Sequence, residues 1–384
     1  MRSRNLELIS GTSGSFVKLF EVRDSRIRVH EKLILWKGYG KQMSGDRHVI
    51  RSKAPLRISF AGGGTDVAPY VDEHGGTVLS STIGMYAYCT ISPRNDKQIK
   101  VRSLDMARDE NWKADGGMLH YDGNLDLIKA VLNHFEVEHG FDMFLHCDAP
   151  PGSGLGGSST VMVSLIGAIS EWLNVPLSQY DMAKLAFKLE REELGFAGGK
   201  QDHYSAVFGG FNFMEFKKTD TIVTPLRIKN DILNELHYHL LLCYTGQTRD
   251  SANIIEDQRV GMKVAESPVM EALDNAKRLA YETKDALMKG DIRRIGELLD
   301  ESWQYKKKFT GHITNPYIDS IYDSAKQNGA IGGKISGAGG GGYMFFICEY
   351  DRKYLVADSL QRHGAQIVNF NFDKNGLQTW RYQA

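Results

Sequence analysis

The chain has 384 residues, of which 42% are hydrophobic and 24% charged, as is typical of a globular protein. This length exceeds what one hydrophobic core usually supports, so we expect two packed domains. Basic and acidic residues are equal in number, 47 of each, and leave no net charge to attract nucleic acid or an anionic membrane. We therefore expect no nucleic-acid partner and no membrane partner, and any anionic ligand needs a local site.

The cysteines and the apolar segments indicate a cytoplasmic protein. Four cysteines lie far apart in the sequence, with no CxxC pair and no secretory leader. We expect reduced, buried thiols, because each cysteine stands in an apolar stretch. No segment approaches the length of about 18 uninterrupted apolar residues that indicates a transmembrane helix.

The first 45 residues differ from the rest of the chain. They show no sustained strand or helix periodicity, and we predict a poorly ordered N-terminal extension over 1–45. Its charged start lacks the apolar run and cleavage site of a signal peptide. Met43 stands just before the first patterned segment, so whether residues 1–42 belong to the functional protein is left open.

Strands and helices alternate from His48 onward. After about residue 215 the composition changes to strands that alternate with long charged helices. We therefore predict an N-terminal domain over 46–215 and a C-terminal α+β domain over 216–384. The patterned segments of the first domain include, in chain order, a strand over 48–62, a helix over 124–138 with Asn124 as its cap, a strand over 141–150, a helix over 158–173 and a helix over 177–195 with Ser178 as its cap.

The strongest local feature is a glycine-rich segment between a predicted strand and a predicted helix, residues 150–160, PPGSGLGGSST. Backbone N–H groups in such a loop bind anions together with the positive end of the helix dipole. Glycine allows the backbone to approach phosphate oxygens closely. The alternative is a strand-to-helix turn in which the serines only cap the helix.

Two nucleotide-binding motifs explain this segment less well. Gly152, Gly154 and Gly157 match the dinucleotide fingerprint G-x-G-x-x-G. That fingerprint needs an acidic residue at the end of the next strand, whereas Glu171 lies inside the predicted helix. A P-loop is excluded because its lysine is missing.

Two further glycine clusters flank chemistry-bearing residues. Residues 54–67, APLRISFAGGGTDV, join a strand to three glycines and then to Thr65 and Asp66. Residues 334–346, KISGAGGGGYMFF, place four consecutive glycines between two apolar strands. Such a run is entropically costly in a β context, so we expect another part of the chain or a ligand to approach the backbone there.

The three clusters, in this order, resemble the signature motifs of the GHMP kinases, a superfamily of small-molecule kinases named after galactokinase, homoserine kinase, mevalonate kinase and phosphomevalonate kinase. The resemblance covers residues 50–384. It implies a two-domain α+β fold, with an N-terminal domain resembling ribosomal protein S5 domain 2 and a ferredoxin-like C-terminal domain. It also implies ATP and Mg²⁺ as cofactors.

Within that superfamily the chain most resembles kinases of D-glycero-D-manno-heptose 7-phosphate, with fucose and other sugar 1-kinases next. The segments that carry this resemblance are AGGGTDV (61–67), GGKQDHYSAVFGG (198–210), YTGQTR (244–249) and SWQYKKKF (302–309). It implies transfer of the ATP γ-phosphoryl group to the anomeric hydroxyl of a sugar phosphate. Three points stay open: a kinase of an unphosphorylated sugar such as fucose or galactose, a catalytically silent ligand-binding relative, and a homodimer.

The resemblance implies roles for individual residues. The catalytic set would be Asp202 as the base, with Arg57 and Lys200 as cations near the phosphoryl group. Mg²⁺ would bind Ser158 and Glu190. The ATP phosphates would lie against Pro151, Gly152, Ser153, Gly154, Leu155, Gly156, Gly157, Ser158 and Ser159. The substrate would contact Gly64, Thr65, Asp66, Arg249, Gly339 and Gly340.

A structural role competes with several of these assignments. Asp202 could cap a helix, Glu190 could lie on a solvated face, and Asp66 could stabilise a turn.

Arg249 could reach a distal phosphate of the substrate, as could the lysine run 306–308. For the lysine run a solvated helix face is the preferred interpretation.

Overall fold

The computed structural model describes residues 48–247, 251–264 and 267–383. The predicted extension over 1–45 and Arg249 lie outside these residues. Two β-sheets and the helices packed on them form the described part of the chain, which confirms the predicted α+β class. None of the described helices combines the length and apolar composition needed to cross a bilayer.

The first sheet is built around two long antiparallel strands. Its strand order is β12-β1-β2-β5-β3-β4, and β6 and β7 extend it from β2. Apart from the parallel pair β3 and β5, neighbouring strands are antiparallel. The strands are β1 (His48–Ala61), β2 (Gly76–Pro93), β3 (Gln98–Ser103), β4 (Arg108–Lys113), β5 (Phe141–Cys147), β6 (Phe211–Phe216), β7 (Thr221–Pro225) and β12 (Gln378–Gln383).

The second sheet is antiparallel, with the order β11-β8-β10-β9. Its inner strand β10 is completely buried. The third glycine cluster forms the connection between β9 and β10. The strands are β8 (Leu240–Tyr244), β9 (Ala330–Ile335), β10 (Tyr343–Cys348) and β11 (Gln366–Val368).

Four of the described helices begin at a residue whose side chain caps the helix, namely Ser178, Ser267, Asp291 and Asn315. Ser178 accepts a hydrogen bond from the Asp181 amide, as predicted. The predicted cap Asn124 is wrong, because that helix begins one residue later, after Leu125, without a side-chain cap. The helices are α1 (Tyr70–His74), α2 (Asp126–His134), α3 (Gly157–Leu173), α4 (Gln179–Phe187), α5 (Gln201–Phe208), α6 (Asn230–His239), α7 (Ser251–Met262), α8 (Pro268–Lys289), α9 (Ile292–Lys306), α10 (Pro316–Gln327) and α11 (Lys353–Arg362).

One hydrophobic cluster connects the two sheets. Phe60 of β1 packs edge-on against Phe345 of β10, with 5.6 Å between the ring centroids, and Leu298 and Leu299 of α9 belong to the same cluster. Strands β7 and β12 lie beyond residue 215 in sequence and still pair in the first sheet. The predicted division into 46–215 and 216–384 stays a prediction.

The shared core brings two glycine-rich loops into direct backbone contact. The β5–α3 loop (residues 148–156) and the β9–β10 loop (residues 336–342) meet where a Cβ on Gly337 would lie 2.6 Å from the Gly154 Cα atom. The Tyr343 amide also donates to the Ser153 carbonyl at 3.0 Å. The glycines of the third cluster thus allow the second sheet to support the β5–α3 loop.

Gly337→Ala tests this contact. Gly337 has φ +75°, so alanine there costs about 1–3 kcal/mol of backbone strain and also clashes with Gly154. We expect a lower free energy of unfolding and lower turnover. Gly246→Ala is the matched control, because Gly246 has the same φ with no described atom within 4 Å of its Cβ position. Equal losses in chemical denaturation of the two variants would contradict the role of the loop contact.

Candidate active site

A cleft of about 670 Å³ opens where the three glycine clusters meet. Side chains from both sheets line it, together with residues of α5, α7 and α9. The residues singled out from the sequence that line the cleft are Arg57, Gly64, Asp66, Gly152, Ser153, Gly154, Gly156, Gly157, Ser158, Ser159 and Asp202. The structure therefore brings most of the expected positions to one place.

Arg57 and Asp202 form an ion pair in the cleft. Arg57 Nε and Nη2 each lie 2.7 Å from Asp202 Oδ1. The guanidinium is almost fully buried, whereas the Asp202 side chain keeps 18% of its surface exposed. Arg57 follows a register shift in the β1–β2 pairing at Pro55 and Leu56, and such bulges redirect side chains. Asp202 is thus a carboxylate fixed by a buried cation yet accessible from the cleft.

Arg57 also holds the glycine loops. Its Nη1 donates to the Gly154 carbonyl at 2.7 Å and to Ser336 Oγ at 3.2 Å. Its backbone amide donates to the Leu155 carbonyl at 3.2 Å. One side chain therefore joins β1 to the β5–α3 loop and the β9–β10 loop.

The β5–α3 loop presents its backbone to the cleft. Gly154 and Gly156 have φ values of +87° and +88°, which favour glycine, and Gly156 precedes the first turn of α3. Ser158 and Ser159 lie in that turn, where backbone N–H groups have no helical partner. Leu155 points instead into the core. This arrangement suits phosphate oxygens.

Glu190 lies completely buried behind the two serines. Its Oε1 accepts from Ser158 Oγ at 2.5 Å, and its Oε2 accepts from Ser159 Oγ at 2.7 Å and contacts His203 Nε2 at 2.6 Å. Burial alone would raise the pKa of Glu190, but the charge of Arg191 and the contact with His203 outweigh burial and lower it to about 2. A buried anion is therefore maintained at the start of α3.

A π-helical turn over Lys188–Glu193 positions this anion. The wider turn lets the adjacent side chains of Glu190 and Arg191 both approach Ser159, and Arg191 Nη2 donates to Ser159 Oγ at 2.9 Å. Gly198 accommodates the guanidinium, because a Cβ there would lie 2.3 Å from Arg191 Cζ. Single-turn π-helical insertions often occur at functional sites.

Asp66 is buried and lies against the turn that leads into α5. Its Oδ2 accepts from the Gln201 amide at 2.9 Å, and its Oδ1 accepts from Gln201 Nε2 at 3.1 Å and from the Gly64 amide at 3.2 Å. Burial raises the pKa of Asp66, and the nearby charge of Asp202 adds to that effect. A Cβ on Gly199 would lie 2.1 Å from Asp66 Oδ2, so the second glycine of GGKQDHY is needed for this packing.

Other expected positions lie away from the lining. Thr65 is buried and its hydroxyl donates to the Gly62 carbonyl at 2.7 Å, which fixes the turn after β1. Lys200 Nζ donates to the carbonyls of Lys217 and Lys218. The remaining positions outside the described lining are Pro151, Leu155, Glu190, Gly339 and Gly340. Gly340 donates its amide to the Ile313 carbonyl at 2.7 Å.

Several lining residues were not predicted from the sequence. Arg191 follows Glu190 directly, and adjacent residues do not share one face of a regular α-helix. For the lysine run 306–308, the preferred interpretation as a solvated helix face is wrong at Lys306, which is buried, whereas Lys308 is exposed. Lys334 and Gln201 lie inside the glycine-containing segments quoted above, but nothing in their spacing indicated that their side chains line the cleft. Gln258 of α7 carries no local signal.

Comparisons with known proteins agree with this geometry. The model of the GHMP kinase N-terminal domain matches residues 125–210, and that of the GHMP kinase C-terminal domain matches 283–366. The D-glycero-α-D-manno-heptose 7-phosphate kinase of Campylobacter jejuni is 41% identical over 338 residues, 86% of this chain and 99% of that protein. The L-fucokinase/L-fucose-1-P guanylyltransferase of Bacteroides fragilis is 25% identical over 87% of this chain and 38% of its own length.

A solved structure extends the comparison to the fold. The crystal structure of a D-glycero-D-manno-heptose 1-phosphate kinase from Bacteroides thetaiotaomicron superposes with a TM-score of 0.74 at 37% identity. It covers 87% of this chain and 100% of that chain. The predicted superfamily is confirmed by sequence and by fold: the chain belongs to the GHMP kinases and is an ATP-dependent sugar kinase.

Proposed function

We propose that the chain transfers the γ-phosphoryl group of ATP to the anomeric hydroxyl of D-glycero-D-manno-heptose 7-phosphate and releases ADP and the 1,7-bisphosphate. The substrate is that of the Campylobacter jejuni relative, 41% identical over nearly its whole length. The observation that carries the proposal is the Arg57–Asp202 pair, which contacts the β5–α3 loop and lines the same cleft as Asp66.

The two residues of this pair have complementary roles in the reaction. The Asp202 carboxylate orients the acceptor hydroxyl and takes its proton as the new O–P bond forms and the bond to the ADP oxygen breaks. The buried Arg57 guanidinium keeps Asp202 in place and adds positive charge where phosphoryl charge develops. Asp66 lies on the acceptor side and is suited to accept hydrogen bonds from sugar hydroxyls.

Mg²⁺ would be held by Ser158 and Glu190. Hydroxyl and carboxylate oxygens are ligands that this ion prefers, and it commonly takes few protein ligands besides phosphate oxygens. The described residues contain no group of three or more His, Cys, Asp or Glu side chains that could hold a metal by themselves. Ser158 and the ionised Glu190 fit such a sparse site. The ion would neutralise charge on the ATP phosphates.

Asp202→Asn tests the base. We expect turnover to fall roughly 10²–10⁴-fold with little change in ATP binding, because asparagine cannot accept the proton. Asp142→Asn is the matched control, since Asp142 forms an ion pair with Arg94 on the surface. Steady-state rates and nucleotide titration measure both effects. Near-normal turnover of the Asp202 variant would remove this residue from the mechanism.

Glu190→Gln tests the metal site. We expect a higher Mg²⁺ concentration for the half-maximal rate, because the amide is a poorer ligand than the carboxylate. Glu192→Gln is the control, since Glu192 is exposed on the same π-helical turn. An unchanged Mg²⁺ dependence in both variants would assign Glu190 to a purely structural role.

A further inference from the structure

Within the described part of the chain, two lysines line the cleft without a carboxylate partner. Lys306, the last residue of α9, is 6% exposed, and Lys334 of β9 is 3% exposed. Lys306 Nζ donates to the Gly337 carbonyl, and Lys334 Nζ lies 3.3 Å from both the Phe60 carbonyl and Ser302 Oγ. Among the described residues neither lysine forms an ion pair, so most of their charge is unmet by the protein.

The other described cations of the cleft are already paired. Arg57 pairs with Asp202, Arg191 with Glu190 and Arg259 with Glu256. Asp66 is the acidic group whose charge acts on Lys306, but its two oxygens accept from Gln201 and Gly64. Lys306 and Lys334 are therefore the buried positive charges that the described carboxylates of the cleft do not neutralise.

Burying an unpaired ammonium group is costly unless an anion joins it. Burial lowers the pKa of Lys334 to about 8, and the neighbouring Arg57 charge acts in the same direction. Burial also lowers the pKa of Lys306, and the charges of Lys334 and Arg57 act in the same direction. A dianion placed between these groups would restore their full charge. A phosphoryl group carries about two negative charges and three acceptor oxygens, which matches two lysines.

We propose that Lys306 and Lys334 form, together with Arg57, a subsite for a phosphoryl dianion. This inference rests on the proposed function, since it concerns the substrates of the same cleft. Two sources share the chemistry: the distal phosphate of the acceptor and the γ-phosphoryl group during transfer. The subsite adjoins both the β5–α3 loop and Asp66. Gly337, which holds Lys306, contacts Gly154 of the β5–α3 loop, and the charge of Asp66 on the acceptor side acts on Lys306.

The experiment compares the unmodified enzyme with lysine variants, each assayed with heptose 7-phosphate and with unphosphorylated heptose. Lys306→Met and Lys334→Met remove the charge and keep an apolar side chain of similar length. Lys308→Met is the matched control, because Lys308 belongs to the same run and is exposed. Initial rates give kcat and both KM values for heptose 7-phosphate, for heptose and for ATP. Lys306→Gln replaces the methionine variant if the latter does not fold.

If the subsite binds the distal phosphate, the Lys306→Met variant has a KM for heptose 7-phosphate that is roughly 10- to 100-fold higher than that of the unmodified enzyme. The KM values for heptose and ATP then stay unchanged. If the subsite instead binds the γ-phosphoryl group during transfer, the Lys306→Met variant has a lower kcat with both acceptors and unchanged KM values. The proposal is overturned if Lys306→Met and Lys334→Met both match Lys308→Met in kcat and in every KM.

Inorganic phosphate separates this inference from the proposed function. We expect phosphate to raise the melting temperature of the unmodified enzyme and of Lys308→Met, and to have less effect on Lys306→Met. If heptose 7-phosphate is not phosphorylated but this difference remains, the proposed substrate is wrong and the subsite stands. If heptose 7-phosphate is phosphorylated and neither lysine matters, only the subsite fails.

Discussion

The cleft depends on the contacts of the Arg57 guanidinium. This group contacts Asp202 of α5, the Gly154 carbonyl of the β5–α3 loop and Ser336 of the β9–β10 loop. A buried arginine needs a partner for its charge and acceptors for its five donors, and these three segments supply them. Packing of the two sheets, the position of the anion-binding loop and the orientation of the proposed base are therefore coupled through one side chain.

The sequence predicts the glycine loops well because glycine marks places where backbone approaches backbone or ligand. Gly154 and Gly337 meet in this way, and the α+β class and the superfamily follow from the same segments. Residues whose role depends on tertiary burial are harder to predict. Lys306 and Lys308 belong to one lysine run, yet only the packing of α9 decides that the first is buried and the second exposed. Lys200 shows the reverse case, since its motif suggests the cleft and its side chain lies against the backbone at Lys217 and Lys218.

Charge is distributed unevenly around the cleft. Arginines stand beside carboxylates, as in the pairs of Arg57 with Asp202 and Arg191 with Glu190, and these pairs hold the frame in place without a ligand. Among the described residues, Lys306 and Lys334 are left without such partners. A lysine can lose its proton when buried, whereas an arginine cannot. The arginine–carboxylate pairs therefore stay charged with or without a ligand, while the charge of Lys306 and Lys334 can respond to a bound anion.

The π-helical turn over Lys188–Glu193 makes the site depend on chain length as well as on residue identity. A π-turn contains one residue more than an α-turn, and each residue of an α-helix turns the chain by about 100°. Deleting one residue of this turn would convert it to a regular α-helical turn, in which adjacent residues point in directions about 100° apart. Glu190 and Arg191 could then no longer both reach Ser159. A one-residue gap in this segment of a related chain would therefore indicate a rebuilt anion site, even where every named side chain is retained.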